Sequence, residues 1–286
     1  MKPLIKYRGG KAKEIPNLLP FIPNFTGRYI EPFLGGGAMF FYLQPERSII
    51  NDINHRLINF YRTVQTDFPT LKSELSELEK IYLKNRIEYE QLKKENPSIR
   101  VEDKNEVLYY SLRDMFNGSK ESQYLDATLY YFINKIAYSG MIRYNSKGEY
   151  NVPYGRYKNF NTSLVTFEHS MLLSTADIHN EDYREIFNMS EVDDFIFLDP
   201  PYDCVFSDYG NNEYRDGFSA EDHRQLAEDF YNLNCPALMV IGATPLIREL
   251  YGRSVVGEYN KNYSVNIRNR FSSEANHLIV TNYAVR

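Results

Sequence analysis

Short apolar runs, each bounded by Gly, Pro, Asn or Asp, occur early in the chain and again in its second half. A continuous apolar run of this kind is typical of a strand that is covered on both faces. Helical apolar density follows the first run at residues 38–43, and a further helix is predicted to begin at Ser219. The sequence predicts strands at residues 28–33, 48–52, 171–177, 194–198, 237–242 and 278–283.

The pattern becomes helical from residue 57 to about residue 123. Leu71, Leu75, Leu78 and Tyr82 recur at helical spacing among alternating Glu and Lys, and Asn96-Pro97 ends this helix. Because such a charge-rich helix usually has a solvated face, we assign it no chemistry. Further helices are predicted at residues 106–116 and 125–138. The fold class is therefore predicted to be α/β, with a mainly helical insertion in a mixed sheet.

The composition is typical of a soluble globular protein, since 43% of the 286 residues are hydrophobic and 25% are charged. This length allows one or two domains. No apolar stretch approaches the ~18 residues of a membrane span, and the Gly9-Gly10 pair precedes any signal-like region. A cytoplasmic protein is therefore expected. Two cysteines argue against a disulfide framework, and the five histidines lack metal-ligand spacing, so no metal site is predicted.

The run at residues 194–198 ends at Asp199-Pro200-Pro201-Tyr202. The two prolines lack amide hydrogens and fix their own φ, so this segment is predicted to be a rigid, extended turn with unpaired carbonyls. It follows the carboxyl end of a strand, where open α/β sheets bind their ligands. A plain strand followed by an Asp-Pro turn is the structural alternative.

This turn suits the activation of an exocyclic amine on a nucleobase as a nucleophile. Such an amine is a poor nucleophile because its lone pair is delocalised into the ring. The Asp199 carboxylate and the Pro200 carbonyl would accept its two hydrogens and stabilise the positive charge that develops on nitrogen, while Tyr202 stacks on the base. These three residues are the predicted catalytic group.

A strand, a glycine turn at Gly35 to Gly37 and a helix together form the layout of a nucleotide site. Position 40, where the dinucleotide pattern has a third glycine, is Phe40, which weakens a pyrophosphate interpretation. Asp52 ends the next predicted strand, where a carboxylate can accept both ribose hydroxyls of an adenosine-containing cofactor. A cap for the helix predicted at residues 53–61 is an equally open interpretation of Asp52.

Four motifs together resemble the Dam-like, alpha-class DNA adenine methyltransferases, and they span nearly the whole chain. The motifs are Lys6-Tyr7-x-Gly9-Gly10-Lys11, Glu31-Pro32-Phe33-x-Gly35-x-Gly37, Asn51-Asp52 and Asp199-Pro200-Pro201-Tyr202. The resemblance implies S-adenosylmethionine as the methyl donor and a Rossmann-like methyltransferase sheet. It also implies a cofactor site lined by Tyr7, Lys11, Phe33, Gly35, Gly37, Asp52, Asp177 and Asp199.

Residues 138–158 are predicted to form a hairpin, with a turn at residues 145–148. Residues 143–158 carry four cations and one acid in a chain of net charge −5, and tyrosines interleave the cations. This pattern favours phosphate contact and base stacking, although an exposed hairpin can simply be solvated. The family resemblance implies that Met141, Arg143 and Pro153 contact bases and that Tyr138 fills the duplex beside a flipped adenine. The other predicted DNA-binding residues are Lys6, Ser139 (where the family often has Asn), Arg156 and Lys158.

The sequence as a whole predicts a catalytic domain at residues 1–56 and 164–286 and a target-recognition domain at residues 57–163. The predicted enzyme flips an adenine from double-stranded DNA and methylates its 6-amino group, at GATC or another GAT-containing site. A separately acting restriction endonuclease is a possible partner. A polar loop at residues 211–217 is expected to close over substrate, and Arg268 and Arg270 to add phosphate contacts. A cytosine-amine or RNA methyltransferase and a catalytically inactive DNA-binding protein are the alternatives.

Overall fold

The computed structural model describes residues 1–7, 9–203, 218–262 and 274–285. The chain divides into two compact units. The helical unit comprises residues 1–10 and 54–174, and the sheet unit comprises residues 11–53 and 175–286. Catalytic and target-recognition roles for the two predicted domains remain predictions. No helix among the described residues is long and apolar enough to cross a membrane.

The sheet unit is built on a seven-stranded mixed sheet, which confirms the predicted α/β class. The strand order is β3-β2-β1-β4-β5-β7-β6, with parallel pairs from β3 to β5 and antiparallel pairs at β7. Because β1, β2 and β4 are parallel neighbours, their carboxyl ends share one edge. The strands are β1 (Tyr29–Glu31), β2 (Ser48–Asn51), β3 (Ala176–His179), β4 (Phe195–Leu198), β5 (Ala237–Gly242), β6 (Val255–Asn262) and β7 (Glu274–Thr281).

Helices of both units follow the apolar pattern of the sequence. In α4 the buried residues Leu71, Leu75, Leu78 and Tyr82 form one face, as predicted. Nearly every residue of α6 is buried, because it forms the centre of the helical unit. The helices are α1 (Ile15–Leu18), α2 (Ala38–Leu43), α3 (His55–Thr66), α4 (Phe68–Glu95), α5 (Lys104–Phe116), α6 (Asp126–Ile136), α7 (Phe167–Leu173), α8 (Tyr183–Asn188), α9 (Ala220–Tyr231) and α10 (Pro245–Tyr251).

The strand predicted at residues 171–177 is wrong. Its first half belongs to α7, and β3 begins only at Ala176. The pairs His169-Ser170 and Leu172-Leu173 are buried on one face, three residues apart, which is helical spacing. Asp177 is consequently the second residue of β3 and does not end it.

The hairpin predicted at residues 138–158 lacks continuous strands. Its arms are joined by two isolated antiparallel bridges, one from Ala137 to Tyr154 and one from Tyr144 to Tyr150. The predicted turn is present, since Gly148 N donates to Asn145 O at 2.9 Å. This segment, residues 138–158, is called the recognition hairpin below.

Candidate active site

The Asp-Pro-Pro-Tyr turn follows β4, and a buried lysine holds its carboxylate. Lys11 Nζ donates to both Asp199 oxygens, at 2.6 and 2.7 Å. The Lys11 side chain is 3% exposed and that of Asp199 is 22% exposed. A buried ammonium is costly unless it is paired, so this ion pair fixes both groups. Lys11 was predicted to line the cofactor site, and the structure places its ammonium on the predicted catalytic carboxylate.

Tyr202 is confined by residues of three other segments. Its ring centroid lies 4.9 Å from Lys11 Nζ, within cation–π range. The His277 ring meets it edge-on, with centroids 5.1 Å apart. A Cβ on Gly242 would lie 3.3 Å from Tyr202 Cδ2, so the aromatic ring rests on this glycine. The residue after it is also held, because Thr244 Oγ1 donates to Asp203 Oδ2 at 2.7 Å.

Asp52 binds the glycine turn after β1 and does not cap a helix. Its Oδ2 accepts from Gly35 N at 2.8 Å. The cap of α3 is Asn54, whose Oδ1 accepts from Leu57 N at 3.1 Å, so the capping interpretation of Asp52 is wrong. Gly35 and Gly37 have φ values of +48° and +64°, a left-handed region that favours glycine. Asp52 and the glycine turn therefore form one hydrogen-bonded structure.

Two asparagines shape this edge: Asn51, which was quoted in a motif but given no role, and Asn180, which the sequence did not single out. Asn180 Nδ2 donates to Asp52 O at 2.8 Å and to Ile53 O at 3.0 Å. Asn51 Nδ2 donates to Glu181 O at 2.9 Å, and Asn51 Oδ1 accepts from Glu181 N at 2.8 Å. These bonds fix the backbone on both sides of the Asp52 carboxylate. An asparagine at or just after the end of a strand is the sequence signal that indicates such a cross-link.

The remaining predicted cofactor residues of the sheet unit differ in placement. Phe33 packs on Tyr183 and Phe218, with ring centroids 5.4 and 6.4 Å away. Asp177 is exposed and pairs in register with Ile49. It therefore lies two residues, or about 7 Å along the strand, before the position that pairs with Asn51. Its predicted contact with cofactor stays a prediction.

Glu31, at the end of β1, is a buried acid that the sequence analysis quoted in a motif but gave no role. Its Oε2 accepts from Tyr29 Oη at 2.6 Å and from Phe40 N at 3.2 Å. Burial, together with the nearby charges of Asp199 and Asp52, raises the pKa of Glu31 to about 8, although the hydrogen bonds from Tyr29 and Phe40 oppose the shift. Glu31 is therefore mostly protonated at neutral pH.

All eight predicted DNA-binding residues belong to the helical unit, as does Tyr7. Arg143 Nε donates to Asn151 Oδ1 at 2.8 Å, which orients an exposed guanidinium. Lys6 Nζ lies 4.5 Å from the Tyr157 ring centroid. Met141 is half-buried, and the other seven are exposed, namely Lys6, Tyr138, Ser139, Arg143, Pro153, Arg156 and Lys158.

Two tyrosines among the cations of the recognition hairpin face the core, which corrects the prediction that they stack on bases. Tyr150 and Tyr154 are 3% and 5% exposed. The Tyr150 hydroxyl donates to Met141 O at 2.7 Å, and the Tyr154 hydroxyl lies 2.8 Å from that of Tyr82. The polar loop at 211–217 and the two arginines Arg268 and Arg270 lie outside the described residues.

The chain is similar to one protein family and to several individual proteins. A family model described as D12 class N6 adenine-specific DNA methyltransferase matches residues 7–267. The type II methyltransferase M.CviBI of Paramecium bursaria Chlorella virus NC1A is 34% identical, over 99% of this chain and 100% of its own length. The type II methyltransferase M.MjaIII of Methanocaldococcus jannaschii is 32% identical, over 82% of this chain and 81% of its own. The retron Ec67 DNA adenine methylase of Escherichia coli is 30% identical, over 88% and 81%.

Proposed function

Since the chain belongs to the D12 class of N6 adenine-specific DNA methyltransferases, we propose that it uses S-adenosylmethionine to methylate adenine in double-stranded DNA. The target is the 6-amino group of an adenine flipped out of the duplex, at GATC or another GAT-containing site. The main support for this proposal is the Asp199 carboxylate, which follows β4, is held by Lys11 and adjoins two prolines and Tyr202.

Asp199 and the Pro200 carbonyl act on the amine. Accepting its two hydrogens localises the nitrogen lone pair and stabilises the positive charge that forms as nitrogen attacks. A carboxylate has about four lone-pair positions, so Asp199 can accept from the amine while Lys11 remains bound. The partly exposed carboxylate leaves a side open for the base. Lys11 keeps the Asp199 carboxylate oriented.

The edge formed by β1 and β2 fits the cofactor we propose. S-adenosylmethionine, when bound, supplies an electrophilic methyl group on a sulfonium sulfur. Asp52 would accept the ribose hydroxyls, because Gly35 N fixes the plane of its carboxylate. Phe33 offers an apolar ring, and the left-handed glycine turn allows close backbone approach. Tyr7 and Asp177 are further residues for which we propose contact with this cofactor.

The exposed face of the recognition hairpin is the proposed DNA-reading surface. Arg143 presents a guanidinium that Asn151 orients, and guanidinium binds the two major-groove acceptors of guanine. Lys158 and Arg156 are proposed to hold phosphates. A restriction endonuclease that recognises the same site and acts separately is the partner we propose, because two of the relatives above are named type II methyltransferases.

Asp199→Ala tests this function. The purified chain should transfer tritiated methyl groups to plasmid DNA from a methylation-null host, and nucleoside analysis should find N6-methyladenine. Asp199→Ala should lose at least a hundredfold in turnover, because the group that stabilises charge in the transition state is gone. It should still bind duplex and cofactor.

Glu258→Ala, which removes an exposed partner of Arg248, is the matched control and should retain activity. If the product contains N4-methylcytosine, the methyl acceptor is cytosine and not adenine. No transfer by the wild type would favour a catalytically inactive DNA-binding protein. Single-molecule sequencing of DNA from the same host gives the recognition site.

A further inference from the structure

One turn of chain, from Lys11 to Glu14, contacts Asp199 directly and Tyr202 through His277. The amides of Glu14 and Ile15 both donate to Lys11 O, at 2.7 and 3.1 Å, which makes this segment a rigid turn. Its first residue holds Asp199, as described above. Glu14 precedes α1 but does not cap it with its side chain. Its carboxylate is used elsewhere, on the side of Tyr202.

The Glu14 carboxylate is buried in contact with His277 and Tyr259. Glu14 is 5% exposed and His277 is 0% exposed. Glu14 Oε2 accepts from the Tyr259 hydroxyl at 2.5 Å and lies 3.1 Å from His277 Nδ1. The same nitrogen lies 3.5 Å from the Tyr202 hydroxyl, at the outer limit of a hydrogen bond. A buried polar group therefore stands at the hydroxyl end of Tyr202.

These contacts restrict the ring that is proposed to stack on the flipped base. Gly242 lies beneath Tyr202, and His277 pairs with this glycine across β5 and β7. His277 closes the hydroxyl end of the ring, and the Lys11 ammonium lies over it. Functional side chains must hold their geometry within about 0.5 Å and 10–20°. A tilt of Tyr202 would move the stacked base away from Asp199.

We propose that Glu14 and His277 are positioning residues for methyl transfer. They fix the hydroxyl end of Tyr202, while Lys11, on the same turn, fixes Asp199. The turn at residues 11–14 thus sets the distance and angle between the carboxylate that binds the amine and the ring that stacks on the base. This inference rests on the proposed function, because it assigns the purpose of Tyr202 to base stacking.

A double-mutant cycle separates positioning from general stability. His277→Leu and Glu14→Gln should each lower kcat about tenfold or more, with little change in the KM for cofactor. Tyr202→Phe keeps the ring but removes the hydroxyl on which the network acts. In that background, His277→Leu should cause no further loss of kcat, and His277→Asn in the wild-type background should recover part of the activity. If His277→Leu lowers kcat by the same factor in the Tyr202→Phe background as in the wild type, the proposal is wrong.

Fluorine NMR gives a readout that does not depend on activity. With 3-fluorotyrosine placed at position 202, its resonance should shift or broaden when Glu14→Gln is introduced. Thr281→Val is the matched control, because Thr281 is a buried hydrogen-bonding residue of the same strand as His277 and bonds Tyr283 O. The control should leave the resonance unchanged.

The two possible failures are distinguishable. If the wild type transfers no methyl group, the proposed function fails, and the fluorine resonance still tests whether Glu14 acts on Tyr202. If the wild type is active and Glu14→Gln leaves the resonance where it was, the positioning role is wrong while the function stands.

Discussion

Three acids at the carboxyl ends of β1, β2 and β4 have different partners, and this decides what each can do. Asp199 is paired with the Lys11 ammonium. Asp52 accepts from a backbone amide of the glycine turn. Glu31 accepts from a phenol and a backbone amide, and burial raises its pKa to about 8, so it is mostly protonated at neutral pH. Neighbouring acids in unlike surroundings are a common means of dividing roles in a site.

Glu31→Gln should change how stability depends on pH. The pKa of Glu31 rises from its ordinary value of 4.5 to about 8 in the folded state. The folded state therefore binds this proton more tightly, and the stabilisation is complete below pH 4.5 and is lost as pH rises to about 8. Gln keeps an acceptor for the Tyr29 hydroxyl and carries no charge.

The variant should therefore gain stability relative to wild type between pH 5 and pH 9, by an amount on the order of a few kcal/mol. Urea denaturation across this range measures the difference. A constant difference between the two proteins at all pH values would mean that Glu31 does not titrate there.

Asp52→Ala should weaken cofactor binding while duplex binding is unchanged. A hydrogen bond to a charged group contributes about 1.5–3 kcal/mol, which is the loss we expect in calorimetry with S-adenosylmethionine. Asp52→Asn is the matched variant, because an amide oxygen retains the bond to Gly35 N but removes the charge. If Asn binds cofactor as well as wild type, Asp52 serves only to shape the glycine turn.

At the scale of elements, three asparagines each clamp one distant residue by both of its backbone groups. Asn51 clamps Glu181 beside β3. Asn117 clamps Tyr150 of the recognition hairpin, at 2.8 and 3.0 Å. Asn134 clamps Lys6, at 2.9 and 2.7 Å. When a side-chain amide donates one N–H to a residue's carbonyl and accepts from the same residue's N–H, it reproduces the paired hydrogen bonds of two antiparallel strands. Such a clamp joins segments that are too short or too irregular to pair as strands.

The two clamps of the helical unit provide matched variants. Asn134→Leu should release the Lys6 amide to hydrogen exchange, because it removes the acceptor of this partly buried bond. The Tyr150 amide should keep its protection. Asn117→Leu should have the reverse effect. Loss of protection at both amides in either variant would indicate general unfolding and not a local release.

Arg143 and Lys158 should fail differently when each is replaced by Ala. Arg143→Ala should relax sequence choice, because losing a bidentate contact to guanine costs about 1–3 kcal/mol of discrimination. Lys158→Ala should slow all duplexes similarly and flatten the salt dependence by roughly one unit of slope. Methylation rates on the cognate duplex and its single-base neighbours, at two salt concentrations, give the comparison. A uniform slowing by Arg143→Ala would move base reading elsewhere in the hairpin.

The sequence predicted the elements whose pattern is local, and it missed contacts made across long separations. The strands before the glycine turn and before Asp199 are present as predicted, because their short apolar runs are buried in the core of the sheet. Leu172-Leu173 misled because an apolar pair suits a helix as well as a strand. Strand β6 lies at an edge of the sheet, and because its sequence mixes apolar and polar residues, it has no apolar run that would predict a strand. Glu14 and His277 are 263 residues apart, so no spacing rule joins them.

At the scale of the whole molecule, net charge gives no general attraction to DNA. The chain carries −5 at pH 7, so binding to a polyanion depends on local cations, and we expect it to fall steeply with salt. The proposed DNA-reading residues all belong to the helical unit and the proposed catalytic residues to the sheet unit. Neither unit is a continuous segment, since the two segments of one unit alternate along the chain with the two segments of the other.

The Asn134 clamp on Lys6 determines when the amino terminus can fold during synthesis. Lys6 and Asn134 are 128 residues apart, and ribosomes add about 5–20 residues per second, so Lys6 waits roughly 6–25 seconds for its partner. Lys2 waits longer still, because its carbonyl bonds His169, 167 residues later. The segment that leaves the ribosome first thus waits for residues of α6 and α7 before it can dock, and nascent chains stalled before residue 134 should carry an unprotected amino terminus.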